Sequence, residues 1–233
     1  MKRLFLLSSK TRMAFMIACS SIMLLASCGK KTEYEPEPVG ELDIKAVNTV
    51  FGGPNQDFLV NGAVKVTGLA YGDASAYVKI TSGVSTLGFY DSGNTTKMNA
   101  GGSIQLSIGN KVSVWYFKTQ SGELAAIPYN DAVTIPTVGK AKVRFINFNN
   151  MSSSSNSISV AVVGGSGTLV PAIAFTEGSA FFEVDPGAKF NFTGTGGVAG
   201  PAFDGALAAN KIYTIWIDGT SATNLTGHIV ANN

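Results

Sequence analysis

Beyond residue 28 the apolar residues of this chain fall in short runs separated by Gly, Asn, Asp and Pro. No segment there keeps a helical period over about 11 residues. The many Val, Ile, Phe and Tyr residues favour strands, and the glycines and asparagines between them favour turns. Residues 57–60 and 63–66 flank Asn61-Gly62, a hairpin signal because both turn positions tolerate positive φ. Residues 103–108 and 111–117 flank Gly109-Asn110 and predict a second hairpin. Further strands are predicted at 142–148, 157–163, 189–193, 212–218 and 224–231, with a turn at Val184-Asp185-Pro186-Gly187. About seven short strands in each half predict an all-β fold: two tandem immunoglobulin-like antiparallel β-sandwich domains.

The halves repeat one another. Leu69-Ala70-Tyr71-Gly72-Asp73-Ala74-Ser75-Ala76-Tyr77 returns as Ile173-Ala174-Phe175-Thr176-Glu177-Gly178-Ser179-Ala180-Phe181, an offset of 104. Ile44-Lys45-Ala46-Val47-Asn48 returns as Val143-Arg144-Phe145-Ile146-Asn147 at 99, and Asn110-Lys111-Val112 as Asn210-Lys211-Ile212 at 100. The offset drifts across Gly- or Ser-rich connections, where insertions are tolerated. This predicts sandwich repeats at 41–135 and 141–233, joined by a linker at 136–140.

The run Asp57-Phe58-Leu59-Val60-Asn61-Gly62, followed by Leu69-Ala70-Tyr71-Gly72, Ser75-Ala76-Tyr77 and Gly83, resembles the domain of unknown function 4397 family. The resemblance covers about residues 42–120 and, with more departures, 141–220. It implies extracytoplasmic β-domains, often lipid-anchored and in tandem, and brings no established activity. Phe175-Thr176 stands where Tyr71-Gly72 stands in the first copy, so a site built on Tyr71 is not expected to be duplicated.

The N-terminus has a different pattern. Lys2, Arg3, Lys10 and Arg12 precede the uncharged stretch 13–25, a secretory signal layout too short for a permanent span. Leu25-Ala26-Ser27-Cys28 resembles the lipobox of bacterial lipoproteins. That resemblance implies a lipoprotein signal peptide at 1–27, cleavage before Cys28, a diacylglyceryl thioether on its sulfur and acylation of its new amino group. The charges that follow resemble export signals of Bacteroidetes surface lipoproteins. The expected location is the cell envelope, lipid-anchored at the outer membrane, with the periplasmic or surface face left open. Residues 28–40 alternate Glu and Pro and predict an extended tether reaching roughly 35 Å.

Removing the signal changes the electrostatics. The chain has 17 basic and 15 acidic residues, and the four basic residues lost with the signal leave 13 against 15. Arg144 is then the one arginine, so no clustered basic surface for nucleic acid exists. Cys19 leaves with the signal and Cys28 is consumed by lipid, so stability is expected from the core and not from disulfides.

Candidate chemistry is sparse. His228 is the sole histidine, in an expected final strand, and reads as a packed or exposed strand residue without a framed nucleophile. The sequence nominates no catalytic residue, no metal site and no cofactor. Scattered acids leave a cryptic hydrolase open, because such a site needs only two facing carboxylates. The rings of Trp115, Tyr116 and Trp216 are candidates for a ligand platform, with burial in a core or between the repeats as the other reading. The serine run 152–155, within the connection 149–156, reads first as a solvated loop and second as a contributor to recognition. The function expected is a membrane-anchored, non-enzymatic binding or adhesion module for an extracellular protein or glycan. A carbohydrate-binding accessory of surface glycan uptake is its nearest alternative. Cys28→Ala is expected to abolish palmitate labelling and leave precursor or soluble protein, because the acyl chains supply nearly all membrane affinity. Fractionation with labelled palmitate checks this, and unlabelled wild-type mature protein would exclude the lipoprotein reading.

Overall fold

The period-two patterning yields sixteen strands and, among the described residues, no helix. The computed structural model describes residues 38–150, 157–194, 197, 199–221 and 224–233, so the expected signal peptide, Cys28 and most of the expected tether lie outside them. The first half contains β1 (Glu41–Asn48), β2 (Gln56–Val60), β3 (Ala63–Leu69), β4 (Val78–Thr81), β5 (Gly83–Asp91), β6 (Met98–Leu106), β7 (Lys111–Lys118) and β8 (Leu124–Asn130). The second contains β9 (Ala141–Asn147), β10 (Ser157–Val162), β11 (Thr168–Ala174), β12 (Phe182–Val184), β13 (Lys189–Thr193), β14 (Phe203–Asp204), β15 (Ile212–Ser221) and β16 (Asn224–Ala231).

Four sheets result, ordered β3-β2-β5-β6, β4-β1-β7-β8, β12-β9-β15-β16 and β11-β10-β13-β14. No sheet mixes strands of the two halves. Pairing is antiparallel except for β1 with β7 and β9 with β15, which run parallel. Asn61 (φ 51°) and Gly62 (φ 78°) close the β2–β3 hairpin as expected, with Val60 opposite Ala63. The second expected hairpin is not one. β6 pairs with β5, while β7 pairs with β1 and β8, so Gly109-Asn110 carries the chain from one sheet to the other. Its turn is fixed by the Gly109 N–H donating to the Glu41 carbonyl at 2.9 Å.

Alternation on the strands distributes side chains among three cores. Ile44, Ala46, Val112, Val114 and Tyr116 join Phe58, Leu87 and Phe89 between the first two sheets. Val143, Phe145, Ile215 and Ile217 join Ile158, Phe190 and Phe192 between the last two. The opposite faces of β1, β7, β9 and β15 meet each other through Val47, Trp115, Phe117, Ile146, Phe148 and Trp216. The layers therefore stack in four, and the two inner sheets bury both faces. This is why β7 and β9 are near-continuous runs of buried residues.

The ladders also correct the repeat alignment. Asp43 lies opposite Lys111, and Lys142, its counterpart 99 residues on, lies opposite Ile212. The last-strand offset is thus 101, which makes Trp115 the counterpart of Trp216 and not of Ile215. Hydrogen bonds repeat on the same scheme. Asn48 Nδ2 donates to the Leu69 carbonyl at 3.0 Å, and Asn147 Nδ2 to that of Ile173 at 2.9 Å. The N–H groups of Ala46 and Phe145 donate to the hydroxyls of Ser75 and Ser179 at 3.0 and 2.9 Å.

Contacts between the inner sheets are reciprocal. Lys45 Nζ donates to the Ala231 carbonyl, and its counterpart Arg144 donates through Nη1 to the Asn130 carbonyl at 2.7 Å. Asn130 and Ala231 are themselves counterparts, so the pattern is that of an isologous, approximately twofold interface within one chain. Arg144 also pairs with buried Asp131 and donates through Nε to Thr214 Oγ1 at 2.9 Å. Asp131 further accepts from Ser113 Oγ (3.0 Å) and from the Tyr77 hydroxyl (2.5 Å). Burial pulls the Lys45 ammonium down to about 8, against the Asp131 charge that raises it and with Lys111 and Arg144 lowering it further. Removing one partner of a buried pair strands the other charge. Arg144→Ala is expected to cost about 3–5 kcal/mol in urea unfolding, while a double Arg144→Met/Asp131→Leu variant recovers most of that loss.

Candidate functional site

At one end of the seam between the inner sheets, three polar side chains from both halves converge. Tyr71 follows β3, while Asp218 and His228 sit on β15 and β16. The Tyr71 hydroxyl donates to Asp218 Oδ2 at 2.5 Å, and His228 Nε2 lies 3.0 Å from Asp218 Oδ1 and 3.1 Å from the Tyr71 oxygen. With its proton on Nε2, the imidazole donates to the carboxylate, which then accepts from both neighbours. The His228 ring stacks on Trp216 at 3.9 Å with 10° between planes. Burial first, then the hydrogen bond and charge of Asp218, push the Tyr71 phenol far above its ordinary value. A phenol held protonated in this way is a donor and not a base.

The repeat supplies an internal control for this cluster. The counterparts of Tyr71, Asp218 and His228 are Phe175, Phe117 and Ile127, and Phe175 packs edge-on against Phe117 at 5.9 Å. The same place in the interface is therefore filled by apolar side chains alone on the other side. Packing the two halves does not require Tyr71, Asp218 and His228.

Two of these residues, Tyr71 and Asp218, border a cavity of about 590 Å³ lined by both halves. Asp218 and Tyr71 form part of its wall, with Thr49, Phe148, Asn150, Asn224 and Thr226 around it. Phe51 stands at its edge, a residue 81% exposed, with its ring edge-to-face against Tyr71 at 5.2 Å. The turn that presents Phe51 is set by Asn48, whose Oδ1 accepts the Val50 N–H at 2.9 Å, and by Gly52 at φ 73°. Leaving so large a ring in water forgoes the burial that stabilises other phenylalanines. Lys118, at the end of β7, supplies an ammonium. Asp218 is the one carboxylate among the lining residues, whereas glycoside hydrolysis needs two. Among the described residues, no group of three or more His, Cys, Asp or Glu could hold a metal ion.

The ring platform expected at Trp115, Tyr116 or Trp216 is corrected by burial. Trp115 and Trp216 are 0% exposed in the core between the halves, and Tyr116 is 2% exposed in the first sandwich core. Strand alternation put a ring on each face of β7, and both faces turned out to be covered. The serine run 152–155 lies outside the described residues, as does Cys28. Phe51 and Asp218 had no sequence signal beyond residue type, although the Phe51-Gly52-Gly53-Pro54 turn could have nominated an exposed ring.

Residues 43–153 match the family model described as Domain of unknown function (DUF4397). That match spans β1 to β9 and carries Phe51, Tyr71 and Lys118, while Asp218 and His228 lie beyond it. The weaker resemblance read from the sequence over 141–220 is covered only as far as residue 153. No curated protein matches the sequence. Solved structures with a likeness include a family 26 carbohydrate-binding module from Eubacterium rectale in complex with maltoheptaose. It is 14% identical, with 81% of this chain and 96% of that one covered at a TM-score of 0.28. Another is the C-terminally truncated tip fimbrial protein of Porphyromonas gingivalis, 12% identical, with 83% and 100% covered at 0.24.

Buried and part-buried tyrosines give the protein a pH signature. Burial raises the phenols of Tyr71, Tyr77, Tyr116 and Tyr129 above 10, that of Tyr116 to about 12. Between 10 and 12 the folded chain then binds more protons than the unfolded one, so stability falls as pH rises through that window. Tyr71→Phe is expected to make the alkaline loss shallower and to cost about 1.5–3 kcal/mol at neutral pH, since a hydrogen bond to a charged group is lost. Urea midpoints across pH, with tyrosinate absorbance, measure both effects.

Proposed function

We propose that this protein is a lipid-anchored, cell-envelope binding module that takes an oligosaccharide into the cleft between its two halves. The observation that carries this reading is the Phe51 ring, exposed at the edge of a cavity with amide, hydroxyl and carboxylate groups. A flat apolar ring offers a stacking surface for the C–H face of a sugar, and the surrounding polar groups satisfy its hydroxyls. Tyr71, Asp218 and His228 orient one another and give that surface a fixed floor. Binding is favoured over hydrolysis because the cleft has one carboxylate, both of whose oxygens are engaged.

In this reading Cys28 carries the acyl groups and the tether lifts the sandwiches from the membrane, so the protein captures glycan while held at the envelope surface. The two sandwiches act as domains at 41–135 and 141–233, with 136–140 as their linker. The separation of the sheets by half supports that division. A glycan array with the purified protein tests the function. Phe51→Ala is expected to weaken binding by about 1–2 kcal/mol, five- to thirtyfold, through loss of the stacking ring. Its melting temperature should stay near that of the wild type, because the exposed ring adds little to stability. Unchanged affinity in this variant, or an array without a hit, would rule the reading out.

A further inference from the structure

The charge balance of the cleft says which sugars it takes. We infer that it selects oligosaccharides bearing an anionic substituent, a carboxylate or a sulfate, and that Lys118 is the residue that selects them; this rests on the glycan reading above. Two charged side chains line the cavity, Lys118 and Asp218. They are not equally available. Asp218 Oδ2 accepts the Tyr71 hydroxyl at 2.5 Å and Oδ1 faces His228 Nε2 at 3.0 Å, with 18% of the side chain exposed. Its charge is compensated by two donors already in place, one of which becomes a full counter-charge when protonated.

Lys118 is in the opposite position. It is exposed, and no hydrogen bond or ion pair engages its ammonium among the described residues. Across the ladder it faces Leu124 and not an acid. Its counterpart in the second half is Gly219, so the approximate twofold does not place a second charge beside it. The cleft therefore has one uncompensated charge, and it is positive. A neutral sugar stacked on Phe51 would leave that ammonium to water. A uronate or sulfate would bring an acceptor to it, and a charge-assisted hydrogen bond is about twice as strong as a neutral one.

The experiment compares matched tetrasaccharides that differ only at C6: gluco-, galacto- and mannotetraose against their uronates, with 6-O-sulfated galactotetraose as a second anion. Calorimetry on the full-length protein at low salt is expected to give the anionic member of at least one pair about fivefold tighter binding, a gain that high salt removes. Lys118→Gln should erase the preference while leaving neutral binding within about twofold. Circular dichroism and melting confirm that the variant is folded. A sulfate preference without a uronate preference would still support an anion site at Lys118. Equal affinity for neutral and anionic members, or an anion preference that survives Lys118→Gln, overturns the inference and leaves the glycan reading standing. Binding of neither class overturns both.

Discussion

The two inner sheets bury both faces, and the structure depends on that constraint. Trp115 and Trp216 hold equivalent places on them and meet at 6.5 Å across the seam, with Phe148 between the rings of both halves. Each inner sheet is therefore the wall of its own sandwich and half of a third core. Both cysteines of the chain precede β1, so no disulfide ties the sandwiches and apolar burial has to stabilise them; the third core adds a layer of it that neither sandwich could supply alone. The cost is that polar groups on these strands must find partners inside. Arg144, Asp131, Ser113, Tyr77 and Thr214 do so by bonding to one another and to strand ends of the opposite half. The buried Trp216 indole N–H has no acceptor among the described residues.

The near-twofold character of the seam separates what the fold needs from what it merely permits. Where both sides carry the same device, as with Lys45 and Arg144 on the opposite strand ends, the device belongs to assembly of the two halves. Where the sides differ, the difference requires another explanation. Phe117, Phe175 and Ile127 meet through apolar contacts on one side of the seam, yet Tyr71, Asp218 and His228 stand in their places on the other, where Tyr71 and Asp218 line the cavity. A buried polar cluster is more demanding than an apolar one, because each member must be satisfied. Its presence on one side only fits a surface shaped for a ligand.

The cleft draws residues from both halves, so a ligand there meets a wall fixed by the third core and not a single mobile loop. Phe51 is the exception, presented on a turn, but its ring leans on Tyr71 and its backbone is tied to Asn48. Preorganisation of this kind lowers the entropic cost of holding a flexible ligand.

Local chemistry was legible in the sequence, and relations between distant strands were not. Period-two patterning specified strands, Asn61-Gly62 specified a hairpin, and the recurring Ala-Ser and Asn positions specified a repeat, because each depends on near neighbours. Gly109-Asn110 looked like the same hairpin signal but serves a crossover, since a turn residue fixes the local backbone and not the strand that follows it. Trp115, Tyr116 and Trp216 were visible as rings, while their burial required knowing that a second sheet covers the back of the first. The candidate site was the least legible part. Tyr71 and Asp218 are 147 residues apart and meet because two sandwiches pack face to face. A sequence records which groups exist; only the packing of one sheet on another decides which of them share a cavity.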